Sequence, residues 1–125
     1  MSQYPKVLQA IKTVRSQMRW KPESANRHLQ KRIQRGHLPP TATLQDYHRI
    51  IQLALRDRAA RVYRYWYNRV PYVVIVTNVE GQQWLVMFAY DGLLETAFVL
   101  DRPSRYLSKP GFEWIGLLGE VDDEL

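Results

Sequence analysis

The chain has 125 residues, 46% of them hydrophobic and 12% aromatic, which is enough for one globular domain with a single core. Its apolar runs, such as YVVIV at 72–76, are far shorter than the roughly 20 residues of a membrane-spanning helix. Residues 1–9 lack the apolar stretch of a signal peptide, so we expect a soluble, cytoplasmic protein with no membrane partner. The absence of cysteine excludes disulfides, thiolate nucleophiles and cysteine-ligated zinc.

The formal net charge of +6 is divided unevenly along the chain. Residues 1–70 contain 15 lysines and arginines against three acids, whereas residues 71–125 contain three against nine. A basic half of this density can neutralise the phosphates of a polyanion, so nucleic acid is the favoured partner, with a merely solvated surface as the alternative. The acidic end, EVDDEL, is predicted to be exposed, either folded against the basic half or acting only in solubility.

The first predicted element is a basic amphipathic helix within YPKVLQAIKTVRSQMRW, residues 4–20. Pro5 is suited to a first helical turn, and Pro22 is expected to stop the helix. We therefore assign residues 1–22 to an N-terminal basic helix. Its apolar residues recur at helical spacing and define one face: Val7, Leu8, Ile11, Val14 and Met18.

Two further helices follow, each with recognisable end signals. Ser24 is expected to cap a second helix, which Gly36 ends in a left-handed conformation. Thr43, with Asp46 three residues later, is expected to cap a third helix over residues 44–57. The apolar stripe of the third helix consists of Leu44, Tyr47, Ile50, Ile51, Ala54 and Leu55.

The pattern changes near residue 60 to runs rich in β-branched and aromatic residues. Hairpin-type turns at VEGQQ and YDG separate three of these runs, which indicates consecutive antiparallel strands. The four predicted strands are ARVYRYWYN, PYVVIVTNV, QWLVMFAY and LLETAFVLD. The sequence therefore predicts an α+β fold of about three N-terminal helices followed by a four-stranded antiparallel meander sheet, with the helices on one face.

We expect one domain over residues 1–125, with a central part at 24–100 and a C-terminal segment at 101–125 that carries the acidic tail. Trp20, Trp84 and Trp114 are interpreted as core or helix-docking residues. The predicted core also includes Leu29, Ile33, Ile50, Leu55, Val74, Val76, Leu85, Met87 and Phe98.

The second predicted helix carries a row of cations beside its apolar stripe. His28 and Arg32 lie four residues apart and Arg35 lies three further on, so all three share one helical face. The segment contains no acid that could pair with them, and their repulsion costs roughly a few tenths of a kcal/mol per close pair. This unrelieved repulsion favours a bound anion, and a solvated charged row is the alternative.

The string HLQKRIQRGHL, followed by a helix and by a strand meander whose last strand contains Thr96, resembles a known pattern. It is similar to the His-x-x-x-Arg-x-x-Arg-Gly motif of small domains in the superfamily of barnase, EndoU, colicin and RelE-type nucleases, over residues 24–100. The resemblance implies a metal-independent ribonuclease of the toxin-like kind. By position, His28 and Arg32 match the helix motif, Arg35 its second arginine, and Thr96 the polar residue of the last strand.

These residue types suit RNA cleavage by the 2′-hydroxyl. His28 is expected to move the proton, Arg32 to stabilise the phosphorane, and Thr96 to bind a nonbridging oxygen, without a metal or another cofactor. Arginine is suited to this role because its planar fork binds two phosphate oxygens and stays charged. Further phosphate contacts are assigned to Lys31 and Arg35.

The strand ARVYRYWYN interleaves aromatic residues with Arg61 and Arg64. One interpretation is a surface that stacks bases on its rings and binds phosphates through these two arginines. The other is an edge strand that buries alternate aromatic side chains and exposes the arginines, which is ordinary for strands.

The second proton-transfer group is not identified by sequence. His37 follows the helix-terminating glycine, His48 lies on the apolar side of the third helix, and Glu95 points away from Thr96 if both lie in a strand. Two other functions remain open: a non-catalytic nucleic-acid-binding module, and a protein-interaction domain of a toxin–antitoxin or phage-related system. A protein inhibitor or partner is therefore possible beside RNA.

Overall fold

The computed structural model of the protein describes residues 4–123 as five helices and six strands that join in one sheet. No helix in this range is long and apolar enough to cross a bilayer. The helices are α1 (Pro5–Ser16), α2 (Ala25–Gln34), α3 (Leu44–Arg56), α4 (Pro103–Leu107) and α5 (Leu118–Asp123). The strands are β1 (Arg19–Trp20), β2 (Arg61–Tyr67), β3 (Val70–Val79), β4 (Gln82–Ala89), β5 (Leu93–Val99) and β6 (Phe112–Leu117).

The sheet is mixed, with the strand order β1-β5-β4-β3-β2-β6. Strands β2 to β5 form an antiparallel meander near the predicted positions. Strand β1 joins β5 in parallel, and β6 joins β2 in antiparallel orientation. The prediction of about three N-terminal helices and a four-stranded antiparallel meander is therefore wrong, because the described chain forms five helices and a six-stranded mixed sheet.

Strand β1 exists because α1 ends before the predicted stop. The backbone turns extended at Gln17, with φ of −151°, so the chain leaves the helix well ahead of Pro22. The turn before β5 packs closely on this helix end, since a Cβ on Gly92 would lie 2.7 Å from Thr13 Cγ2. Arg19 then donates a hydrogen bond to the Asp91 carbonyl at 2.8 Å.

Two of the three end signals predicted for α2 and α3 hold. Thr43 and Asp46 form the predicted capping box at the start of α3, and Gly36 follows α2 with φ of +74°. Ser24 precedes α2 but does not cap it, because its hydroxyl donates to the Lys21 carbonyl.

The two faces of the sheet are covered differently. Helices α1, α2, α3 and α5 pack on one face, whereas α4 packs on the other through Tyr106 and Leu107. Alternation along each strand divides the core accordingly, so that Val73 belongs to one cluster and Val74 to the other. The expectation that helices cover one face only is thus wrong.

The predicted core residues are mostly buried, with Ile33 and Phe98 only partly buried at its margin. Trp84 is fully buried and Trp20 packs against the core. Trp114 is 52% exposed on β6, which contradicts its assignment as a core residue.

The acidic end folds against the basic half as far as the structure describes it. Asp122 accepts two hydrogen bonds from the guanidinium of Arg15, each at 3.0 Å, and Asp123 pairs with Arg58 at 2.8 Å. These contacts favour the first of the two interpretations of EVDDEL, whose last two residues lie outside the described range.

Candidate nucleic-acid interface

Helix α2 lies along the free edge of β5. Strand β1 pairs with β5 only at Leu93 and Leu94, so the edge beyond them needs other partners. The Arg32 Nη1 donates to the Ala97 carbonyl at 3.5 Å, and the Val99 N–H donates to His37 Nδ1 at 3.4 Å. Residues 28–37 therefore reach the strand that carries Thr96.

This packing brings all three predicted catalytic residues together. The hydroxyl of Thr96 lies 3.4 Å from His28 Nδ1, although the two residues are 68 positions apart. Both side chains line a cavity of about 270 Å³. The other residues that line it are Lys31, Arg32, Arg35, Phe98 and Tyr106.

Arg32 is the least expected member of this cavity, because only 4% of it is exposed. No acid of the described chain pairs with it, and its Nε atom has no hydrogen-bond partner there. Its guanidinium carbon lies 5.5 Å from the centre of the Phe98 ring. Burial lowers the pKa of Arg32, yet an arginine keeps its charge at any physiological pH.

His28 is half-buried against the indole of Trp20, with the ring centroids 5.2 Å apart. Burial is the main cause that lowers the pKa of His28, and the nearby cations Arg32, Arg27 and Lys31 lower it further. The imidazole is therefore largely neutral near pH 7, which is the state that can accept a proton.

A larger groove of about 780 Å³ adjoins this cavity and shares Arg35, Phe98 and Tyr106 with it. Three further cations, one directly before α4, one on it and one after it, line the groove. Sequence reasoning missed them because residues 101–125 are dominated by acids, although DRPSRYLSKPG carries a clear local signal. These cations are Arg102, Arg105 and Lys109.

Arg61 and Arg64 lie apart from both cavities. Two guanidinium nitrogens of Arg64 donate to Glu113 at 2.7 and 2.9 Å, and Arg61 donates to Gln83 at 3.1 Å. Their strand, β2, lies inside the sheet between β3 and β6, so the interpretation of β2 as an edge strand is wrong. The assignment of both arginines to phosphate binding stays a prediction, and neither arginine lines the candidate site around His28.

The candidates for a second proton-transfer group are distributed around the site. His48 accepts the indole hydrogen bond of Trp20 at 2.8 Å, and Glu95 pairs with Lys21 at 2.5 Å. His37 lines the larger groove, and the hydroxyl-bearing Tyr106 lines both cavities. Burial raises the pKa of Tyr106, so its hydroxyl keeps its proton near neutral pH.

No family model matches this chain, and no curated protein or solved structure is significantly similar to it. The described residues contain no group of three His, Asp or Glu side chains placed to hold a metal ion.

Proposed function

We propose that the protein is a metal-independent ribonuclease that cleaves single-stranded RNA through attack of the 2′-hydroxyl. The observation that carries the proposal is Arg32, a nearly fully buried cation that pairs with no acid of residues 4–123 and lines one cavity with His28 and Thr96. A buried charge of this kind is costly unless an anion completes the site. The RNA phosphodiester is the anion that the neighbouring histidine can process.

In the proposed reaction, His28 takes the proton of the 2′-hydroxyl through Nε2, while Thr96 hydrogen-bonds the opposite ring nitrogen. The 2′-oxygen forms a bond to phosphorus, and the bond from phosphorus to the 5′-oxygen breaks. Arg32 and Arg35 stabilise the additional negative charge on the phosphorane. Tyr106 is the donor that lies beside the cavity for the departing 5′-oxygen, and the products are a 2′,3′-cyclic phosphate and a 5′-hydroxyl.

A DNA oligonucleotide that contains a single ribonucleotide tests this mechanism directly. We expect cleavage in EDTA at one place only, on the 3′ side of the ribonucleotide, with a cyclic phosphate on the 5′ fragment. The all-DNA strand should remain intact because it lacks the nucleophile. The variant His28→Ala should lower the rate by roughly 10²–10⁴, the usual effect of removing a positioned proton-transfer group.

The control for this experiment is Gln30→Ala, an exposed position on the same helix that lines neither cavity. Purified in parallel, it should cleave like the parent protein, so a loss of cleavage confined to His28→Ala excludes a contaminating ribonuclease. Binding without cleavage would replace the proposal with the non-catalytic nucleic-acid-binding module. Equal cleavage by His28→Ala and the parent would also overturn it.

A further inference from the structure

The larger groove extends a basic surface beyond the residues assigned to the chemistry at His28. Arg35 lines it from the end of the α2 segment, and Arg102, Arg105 and Lys109 line it from the opposite side. Asp101 is the single acid among its lining residues. Four cations against one acid around a cavity of about 780 Å³ produce a strongly positive groove.

These cations are also free of ion pairs with the described acids. Five other cations do pair with acids, and they lie elsewhere in the fold. They are Arg15 on α1, Lys21 after β1, Arg49 on α3, Arg58 before β2 and Arg64 on β2. The five ion-paired acids of residues 4–123 thus neutralise cations elsewhere, and Asp101 is the single acid that lines the groove beside its four cations. This distribution is the one expected of a surface that binds an anion from outside the chain.

The groove also offers a stacking surface and an oriented donor. Phe98 and Tyr106 lie in edge-to-face contact with centroids 5.6 Å apart, and the ammonium of Lys109 lies 4.4 Å from the Tyr106 ring centre. His37 accepts the Val99 N–H at Nδ1, so its ring proton is on Nε2 and can be donated. Rings and phosphate donors side by side suit an unpaired nucleotide.

We infer that this groove is a second nucleotide subsite, which binds the phosphate and the base of the residue next to the scissile one. The inference rests on the proposed function, since it takes the His28 cavity as the place of cleavage. The two cavities share Arg35, Phe98 and Tyr106, so one strand can pass from one to the other. The substrate is then an extended, unpaired RNA, because the bases of a duplex are stacked and unavailable to the rings.

Binding is measured with single-stranded 2′-O-methyl oligonucleotides, which lack the nucleophile and stay intact whether or not the protein is a nuclease. The double variant Arg102→Gln/Arg105→Gln should weaken binding of an octamer roughly tenfold and reduce the slope of log K against log salt by about 1.4. The matched control, Lys6→Gln/Lys12→Gln, removes the same charge from exposed positions that line neither cavity. It should change the affinity far less.

Cleavage is measured on RNA of two lengths, a dinucleotide and an octanucleotide. A second subsite adds contacts only for the longer strand, so the parent should show a higher kcat/KM for the octanucleotide. The groove variant should lower the ratio of the two kcat/KM values by roughly tenfold, mainly through KM.

The binding assay and the cleavage assay distinguish failure of the second subsite from failure of the proposed ribonuclease function. If no RNA is cut but the groove variant still weakens binding, the ribonuclease assignment fails and the nucleotide subsite remains. If cleavage occurs as proposed while the groove variant binds the octamer as the control does, the subsite is overturned and the function remains. Equal binding of duplex and single strand would also overturn it.

Discussion

The imidazole of His28 lies against the indole of Trp20, with ring planes inclined by 27° and centroids 5.2 Å apart. The same indole donates its Nε1–H to His48 at 2.8 Å, which fixes the indole itself. Thr96 approaches His28 from another side, at Nδ1. Strand β1, which carries Trp20, thus holds the ring of the candidate base.

Replacing Trp20 should therefore affect the reaction rate through the orientation of His28. We expect Trp20→Ala to lower kcat by roughly tenfold or more, because a misplaced base loses part of its proton-transfer advantage. Trp20→Phe keeps a ring against the imidazole and should retain most of the activity. Single-turnover rates, with circular dichroism as the check on folding, distinguish the two. Equal losses in both variants would show that the ring contact with His28 does not set the rate.

Arg32 should be replaceable without loss of stability. We expect Arg32→Met to raise the free energy of unfolding by about 1 kcal/mol or more, because an uncompensated buried charge is exchanged for an apolar chain of similar length. The carbonyl of Ala97 stays satisfied, since the Tyr47 hydroxyl also donates to it. Cleavage and phosphate binding should be lost. Denaturant unfolding and the rate assay measure the two effects.

The control for Arg32→Met is Lys31→Met, which removes the same charge from an exposed position one residue away. It should not stabilise the protein. If Arg32→Met instead destabilises the fold strongly, then the arginine serves to cover the edge of β5, and its burial no longer supports a bound anion.

The acid limb of the pH–rate profile should lie below the ordinary histidine value of about 6.5. The limb of kcat/KM reports the free enzyme, in which burial and the neighbouring cations lower the pKa of His28. A bound phosphate places a negative charge beside the ring, so the limb of kcat should lie at higher pH. Initial rates from pH 4.5 to 8 check both limbs, and a kcat/KM limb above 6.5 contradicts the assignment of His28.

Stability should also fall in mildly acidic solution. Burial is the main cause that lowers the pKa values of His28, His37 and His48 in the folded state. The unfolded chain therefore binds more protons below about pH 6.5, and the free energy of unfolding decreases as the pH falls through the folded-state values. The free energy of unfolding should not depend on these three histidines above about pH 6.5. Urea unfolding at several pH values tests this, and His48→Gln should reduce the slope.

The turn between β2 and β3 offers a stabilising substitution. Asn68 and Arg69 adopt φ of 49° and 66°, the left-handed conformation of a tight hairpin turn. Asparagine tolerates this conformation, whereas arginine does so at a cost. Arg69→Gly should raise the free energy of unfolding by about 0.5–1 kcal/mol. Asn68→Gly, as the comparison, should gain less. An unchanged denaturation midpoint in both would contradict this assignment of strain.

Local patterns were sufficient for the elements that depend on local chemistry. The spacing of His28, Arg32 and Arg35 predicts a shared face because α-helical geometry repeats every 3.6 residues, whatever the helix packs against. The capping box at Thr43 is likewise formed within four residues. The meander followed from alternating strands and short turns, which set antiparallel neighbours directly.

Features that depend on distant contacts were missed for a physical reason. Two-residue β1 becomes a strand only because β5 lies beside it, and β6 only because β2 has a free edge. The burial of Arg32 has the same origin, since the helix face expected at the margin of the core is covered by β5. The groove cations Arg102, Arg105 and Lys109 were missed because the net charge of residues 101–125 is negative. Proximity of Thr96 to His28 was implied by the family resemblance alone.

The placement of α2 along β5 divides its surface between residues that hold the scaffold and residues that line the cavity. Leu29 packs into the core, and its loss would damage the scaffold. His28 and Lys31 contribute to the cavity, and their replacement would leave the hydrophobic face of the helix intact. The proposed catalysis and the stability of the fold can therefore be separated by single substitutions, so a variant at His28 that loses the proposed cleavage should keep the fold, the groove and the proposed RNA binding.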